Sequence, residues 1–116
     1  MITKKDSLEN TILNALWNLE ENCHEMTDVS DIQNRINAGS KKWAYTTVKT
    51  VLDRLVEKKL ITRNKQGKKY YYNSRISRVS SGEQAIQKLA RQYYNNDIIA
   101  LARAVERVKS ELTALV

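Results

Sequence analysis

Between residues 45 and 54 the sequence sets Thr46, Lys49 and Thr50 at helical spacing, with Arg54 at the edge of the same face, and a few residues later Lys65, Lys68 and Lys69 crowd a short basic stretch. Hydroxyl, ammonium and guanidinium groups in that arrangement donate hydrogen bonds to base edges and neutralise phosphates. Residue types that would move protons or attack a carbon are scarce. The one histidine stands beside the one cysteine as Cys23-His24, at most two soft ligands for a metal that usually takes three or four. No metal site, no cofactor and no Cys/His catalysis are expected. A glycine-rich phosphate loop and a nucleophile elbow are missing as well, so the chain is not read as an enzyme.

The charge points the same way. Residues 1–40 carry three basic and seven acidic side chains, residues 41–75 eleven and two, and residues 76–116 six and four, within a net charge of +7. The middle stretch, at +9, is where the candidate residues lie. A compact basic block beside an acidic one suits a polyanion, and nucleic acid is the commonest such partner of a small protein. At 116 residues, with 41% apolar and 28% charged side chains, the chain has the size and composition of one small globular domain with an appendage. No run approaches the roughly 18 apolar residues a membrane span needs. The opening Met1-Ile2-Thr3-Lys4-Lys5-Asp6 has no apolar segment behind its lysines, so the expected location is the cytoplasm and no membrane partner is expected.

The elements that must hold these side chains follow from periodicity. Leu8, Ile12, Leu16 and Leu19, widened by Leu13 and Trp17, predict a helix from Ser7 to Glu21, with Asp6 and Glu9 at capping-box spacing. Val29, Ile32 and Ile36 predict a helix of about ten residues, opened by Asp28 or Thr27 and closed by Asn37-Ala38-Gly39. Val48, Val51, Leu52 and Leu55 line the apolar face of a third, from Tyr45 to Lys59, whose opposite face carries Thr46, Lys49, Thr50 and Asp53. Strands over 60–65 and 68–73 join through Gln66-Gly67 as a tight hairpin. Gly39, Gly67 and Gly82 all read as loop markers. Trp17 and Trp43 border apolar stripes and read as packing anchors. Tyr70, Tyr71 and Tyr72 alternate, so one side of that strand is core.

Three helices and a basic hairpin within about 75 residues give the order of a winged helix-turn-helix module. The fold expected is therefore mainly α (α+β): a winged helix-turn-helix DNA-binding domain over 1–75 and a C-terminal helical dimerisation segment over 76–116. Helix 45–59 would enter the major groove, where Lys49 can donate to guanine O6 and N7 and the threonines can meet a thymine methyl or a phosphate. The wing, 60–73, would lay Lys65, Lys68 and Lys69 along phosphates or the adjacent minor groove. Asp53 and Glu57 read as charges that repel misdocking. Downstream, Ile98, Leu101, Val105, Val108, Leu112 and Leu115 alternate steps of three and four, a heptad seam whose branched residues favour two strands and hence a homodimer.

The stretch from Trp43 through Ile61, with Thr46-Thr47-Val48-Lys49-Thr50 at its centre, resembles the signature of the penicillinase-repressor family, which includes repressors of β-lactamase, methicillin-resistance and copper-transport genes. The likeness extends back through Leu13 to Trp17 and forward through Lys68 to Asn73. It implies a dimeric winged-helix repressor on a dyad operator of double-stranded DNA, with Thr46, Thr47, Lys49, Thr50 and Arg54 on the recognition helix. Departures are as informative. No cysteine follows Cys23, against the cysteine-rich C-terminal metal site of the copper-responsive members; no phenylalanine is present, against the Asn-Phe bond cleaved in the antibiotic-resistance branch. Lys59 stands where the family often has glycine, so the helix must end differently or bear a left-handed residue at about 1 kcal/mol. The competing reading is a winged-helix RNA-binding or protein-interaction module, in which Tyr70-Tyr71-Tyr72 would stack on unpaired bases.

Overall fold

The computed structural model describes residues 4–39 and 41–114. In chain order they form α1 (Lys4–Glu21), α2 (Val29–Ile36), α3 (Tyr45–Glu57), β1 (Ile61–Gln66), β2 (Lys69–Ser74), α4 (Arg78–Tyr93) and α5 (Ile98–Ala114). Two compact units divide between Arg78 and Val79. The first is a winged helix: three helices pack pairwise, and the antiparallel β1–β2 hairpin lies against them.

Apolar periodicity becomes a core in this unit. Leu8, Ile12, Leu13 and Leu16 from α1, Ile32 from α2, and Val48, Val51, Leu52 and Leu55 from α3 are buried together with Ile61 and Tyr72. Trp17 closes one side and donates from Nε1 to the carbonyl of Ile76 at 3.0 Å. Helix α1 begins at Lys4, so Asp6 is inside it and not at its cap; Glu9 is spent on Lys58 of the α3 terminus, 2.9 Å away, and not on the helix start. At α2 the cap is Asp28. Its carboxylate accepts from the N–H of Asp31 at 2.9 Å, and the Asp31 carboxylate accepts from the N–H of Asp28 at 3.0 Å.

Helix α3 ends at Glu57, two residues short of the expected end, in a Schellman arrangement: Lys59 donates to Val56 and Leu60 to Leu55. Lys59 has φ +62°. The lysine thus adopts the left-handed cap that glycine takes without strain. This sharp reversal sends β1 back along α3. Register pairs Ile61 with Ser74, Arg63 with Tyr72 and Lys65 with Tyr70, so the turn is centred on Gly67-Lys68, one residue later than expected. Gly67, at φ +65°, takes the first central position, where a type II′ hairpin turn requires a positive φ. The strand carrying Tyr72 is further anchored by its N–H, which donates to the carbonyl of Thr27 at 2.8 Å.

In the second unit Gly82 lies within α4, not in a loop. A Cβ there would meet nothing within 4 Å, so the residue is exposed helix surface, and the rest of α4 overrides a penalty of about 1 kcal/mol. Asn95 and Asn96, at φ +50° and +64°, break the chain between α4 and α5. Asp97 then caps α5, its carboxylate accepting from the N–H of Ala100 at 3.1 Å.

Two outcomes test these local arguments. Lys59→Gly is expected to raise stability by about 0.5–1 kcal/mol, read as a higher melting temperature. At Asp31, partial burial alone would raise the carboxyl's pKa, but the Asp28 N–H and His24 outweigh it and hold the pKa below its ordinary value. A depressed folded pKa means stability present above the unfolded value and lost as pH falls through the folded one. Asp31→Ala should therefore cost about 1 kcal/mol at neutral pH, and the gap to wild type should close on acidification below the usual carboxylate range, measured by urea unfolding at several pH values.

Candidate nucleic-acid interface

With Val48, Val51, Leu52 and Leu55 turned into the core, α3 has its outward rotation fixed. Thr46 and Thr50 lie on its outer face, both exposed, and the Thr50 hydroxyl donates to the carbonyl of Thr46 at 2.8 Å. That bond engages the Thr50 donor and leaves the methyl group for apolar contact, the part of threonine that suits a thymine methyl. No side chain caps the helix at Ala44, and no acidic residue occupies its first turn, so the partial positive charge of the N-terminus is not neutralised locally.

Open depressions flank α3 on both sides. One, of about 590 Å3, is lined by Thr46, Thr47, Thr50 and Arg54 together with Leu8, Lys41 and Trp43. The other, of about 280 Å3, lies between α3, the hairpin and the start of α2; Lys49, Lys68 and Lys69 line it with Asp28, Ser30, Tyr45 and Tyr70. The expected site residues are therefore brought together, but divided between the two flanks. Thr46, Thr47, Thr50 and Arg54 face one side; Lys49 shares the other with Lys68 and Lys69 of the wing. Lys65 projects from β1 beside them, its ammonium 5.7 Å from the centre of the Tyr70 ring.

Several cations on this surface are held by carboxylates. Lys49 donates to Asp53 Oδ2 at 3.2 Å, and Arg63 of β1 donates to Asp53 Oδ1 at 3.0 Å. Arg54 Nη1 lies 3.8 Å from Glu9, whose carboxylate also accepts two hydrogen bonds from Lys58, at 2.9 and 3.0 Å. Glu9 is nearly buried. Arg54 is thus tied to α1, and it stays partly exposed at the rim of the larger depression. Lys69 reaches Asp28 at 3.4 Å. Sequence spacing did not indicate Arg63 or the far-side lining residues Leu8, Lys41 and Trp43. For Arg63 the signal was present, because strand alternation puts it on the face of Lys65. Lys41 over the Trp43 ring, at 4.5 Å, is a matter of tertiary packing.

Along the Tyr70–Tyr72 run burial deepens stepwise and does not simply alternate. Tyr72 is buried, and burial together with the Asp53 carboxylate pushes its phenol pKa up, against opposing contributions from Lys49 and Arg63. Tyr71 is half-buried, and Tyr70 carries the Arg63 guanidinium 4.7 Å over its ring.

A helix presenting short polar side chains, flanked by basic depressions and followed by a basic hairpin, gives the first unit one strongly cationic face. The family model described as penicillinase repressor matches residues 6–115. The chain belongs to the penicillinase repressor family. It is a DNA-binding transcriptional regulator of the repressor type. No curated protein matches the sequence. Nothing among the described residues groups three or more metal-ligating side chains, and no helix there is long and apolar enough to cross a membrane.

Along the seam expected to serve a penicillinase repressor's dimer, Ile98, Val105, Val108 and Leu112 are exposed, whereas Leu101 is buried. Leu115 lies outside the described residues. Ile86 and Leu89 of α4 are exposed too, and with Ile98, Leu101 and Val105 they line an apolar depression of about 330 Å3.

Proposed function

We propose that the chain represses transcription as a homodimer that reads a dyad operator in double-stranded DNA, with α3 in the major groove and the β1–β2 wing on the adjoining backbone. The observation that carries this reading is the pair of depressions on either side of α3. A helix seated in a groove about 12 Å wide has a phosphate strand along each flank, and here each flank is concave and basic-rimmed, with Arg54 and Lys41 on one side and Lys49, Lys68 and Lys69 on the other. Thr46, Thr47 and Thr50 meet base edges or nearby phosphates, Lys49 donates to a base, and Lys65, Lys68 and Lys69 contact phosphates. Stacking on single-stranded bases has less to stand on, because Tyr72 is buried and Tyr70, though exposed, already has the Arg63 guanidinium over its ring.

Residues 1–75 serve as the DNA-reading domain and residues 76–116 as the pairing segment, a division close to that between the two compact units at Arg78 and Val79. One module reads only a few base pairs; two modules on a shared axis combine their binding energies and set the half-site spacing near one helical turn or a multiple. The exposed aliphatic residues of α4 and α5 form the kind of contiguous apolar surface that a partner covers. Cytoplasmic location accords with DNA as the partner.

Selection of duplexes from a random pool by the purified chain is the test. A two-fold-symmetric winner is expected, and enrichment of no motif, or tighter binding to the separated single strands than to the duplex, would reject the reading. Replacing Lys65, Lys68 and Lys69 by alanine should weaken binding to all duplexes and reduce the salt slope by about 0.9 for each phosphate that the wing no longer neutralises. Pairing has its own measurement: a chain ending at Arg78 should be monomeric by light scattering and should bind a single half-site weakly, whereas a truncated chain that stays dimeric would remove α4 and α5 from the interface.

A further inference from the structure

Asp53 is the one acidic side chain on the third turn of α3, on the face the preceding reading turns towards DNA, and both of its oxygens are engaged by cations from different elements. Lys49, one turn earlier on the same helix, takes Oδ2; Arg63, on the wing strand, takes Oδ1. Arg63 in turn lies over Tyr70, opposite Tyr72 in the hairpin register. A continuous polar link therefore runs from the lysine offered to the bases, through one carboxylate, to the strand that carries the wing.

We propose that Asp53 is a specificity-determining positioning residue: it holds Lys49 and Arg63 in a fixed relation, so that the recognition helix and the wing engage only duplexes fitting both at once. The proposal rests on the DNA-reading role given above. Its physical basis is a conflict of two effects. A carboxylate facing phosphates lowers affinity for every sequence alike. The same carboxylate restrains a four-carbon lysine stem that would otherwise sample many rotamers and reach any nearby phosphate. Removing it frees Lys49 to touch phosphates indiscriminately while taking away the geometry on which base choice depends. Simple repulsion and simple scaffolding each move affinity for all sequences together. Positioning alone moves operator and random DNA in opposite senses.

The test compares the full-length wild-type chain with Asp53→Asn, an isosteric change that removes the charge. The probes are the duplex that the wild type selects from a random pool and an unrelated duplex of equal length. Affinity for the unrelated duplex is expected to rise about threefold, and the ratio of selected to unrelated affinity to fall about tenfold. The ratio decides the matter. An unchanged ratio with both affinities higher makes Asp53 a plain repulsive charge, and an unchanged ratio with both lower makes it scaffold; either result overturns the proposal. Arg63→Gln supplies a second arm that leaves the Lys49–Asp53 pair in place and cuts its link to the wing. It should also lower the ratio, and a ratio equal to wild type would overturn the bridge to the wing. A wild-type chain that selects no duplex defeats the underlying DNA reading and this proposal with it, and does so before any variant is measured.

Discussion

Val48, Val51, Leu52 and Leu55 fill the inner face of α3 so fully that the helix has a single rotation open to it. Each side chain gains about 1.5–3 kcal/mol from burial, and a turn of one residue, about 100°, would exchange several of them for threonine, lysine or aspartate. The outward display of Thr46 and Thr50 is a consequence of this packing and not a separate feature. So is the direction of the wing. Because Leu55 is fixed in the core, its carbonyl is where the N–H of Leu60 must return, and the left-handed Lys59 is the residue that allows it. Leu60 and Ile61 then drop back against the same core, which brings the hairpin alongside the helix. Strain at one lysine and burial of four aliphatic residues together set the angle between helix and wing.

Electrostatics refine this arrangement more than they sustain it. Exposed ion pairs contribute about 0–1 kcal/mol each, so Lys49–Asp53, Arg63–Asp53 and Lys69–Asp28 do not decide whether the unit folds. What they do is orient. A surface dense in basic side chains would repel itself and leave long stems mobile, and three carboxylates, Glu9, Asp28 and Asp53, are spread through it so that most of the cations bordering α3 have a partner. Glu9 is the exception in kind. Nearly buried on α1, it needs Lys58 and Arg54 beside it, because an uncompensated buried carboxylate is costly, and it thereby ties the end of α3 to the first helix.

Most of the first unit was legible in the sequence because its periodicities are unbroken. Three helices, a hairpin and a +9 block read directly, and the apolar set named for α3 is the set that is buried. Boundaries were less legible where the physics is tertiary. Asp6 and Glu9 have capping-box spacing, yet Glu9 is claimed by Lys58 from forty-nine residues away, an interaction no local pattern announces. Gly82 punctuates the sequence as a loop would, but a helix with an exposed position there tolerates it. The hairpin turn moved by one residue because Gly67 serves at the first central position of the turn and not the second. The division of candidate residues between two flanks of α3 was implicit in the helical angle. What could not be read was what lies against each flank: α1 and Trp43 on one side, the start of α2 and the wing on the other.

The second unit poses the opposite problem. Among the described residues of α4 and α5 only Ala90 and Leu101 are buried, while Val79, Ile86, Leu89, Ile98, Ile99, Val105, Val108 and Leu112 remain exposed. Two helices of 16 and 17 residues cannot offset their own conformational entropy with so little buried surface. The proposed second copy resolves this physically, since exposed rows on two chains become one core when they meet. Pairing and ordering of α4 and α5 would then be a single event whose extent depends on chain concentration. For a repressor the consequence is useful. Under the proposed pairing, each half-site would be read by a unit with its own core, whereas the tie between half-sites would form only when enough chain is present, so occupancy of a dyad would rise more steeply with concentration than occupancy of a single site.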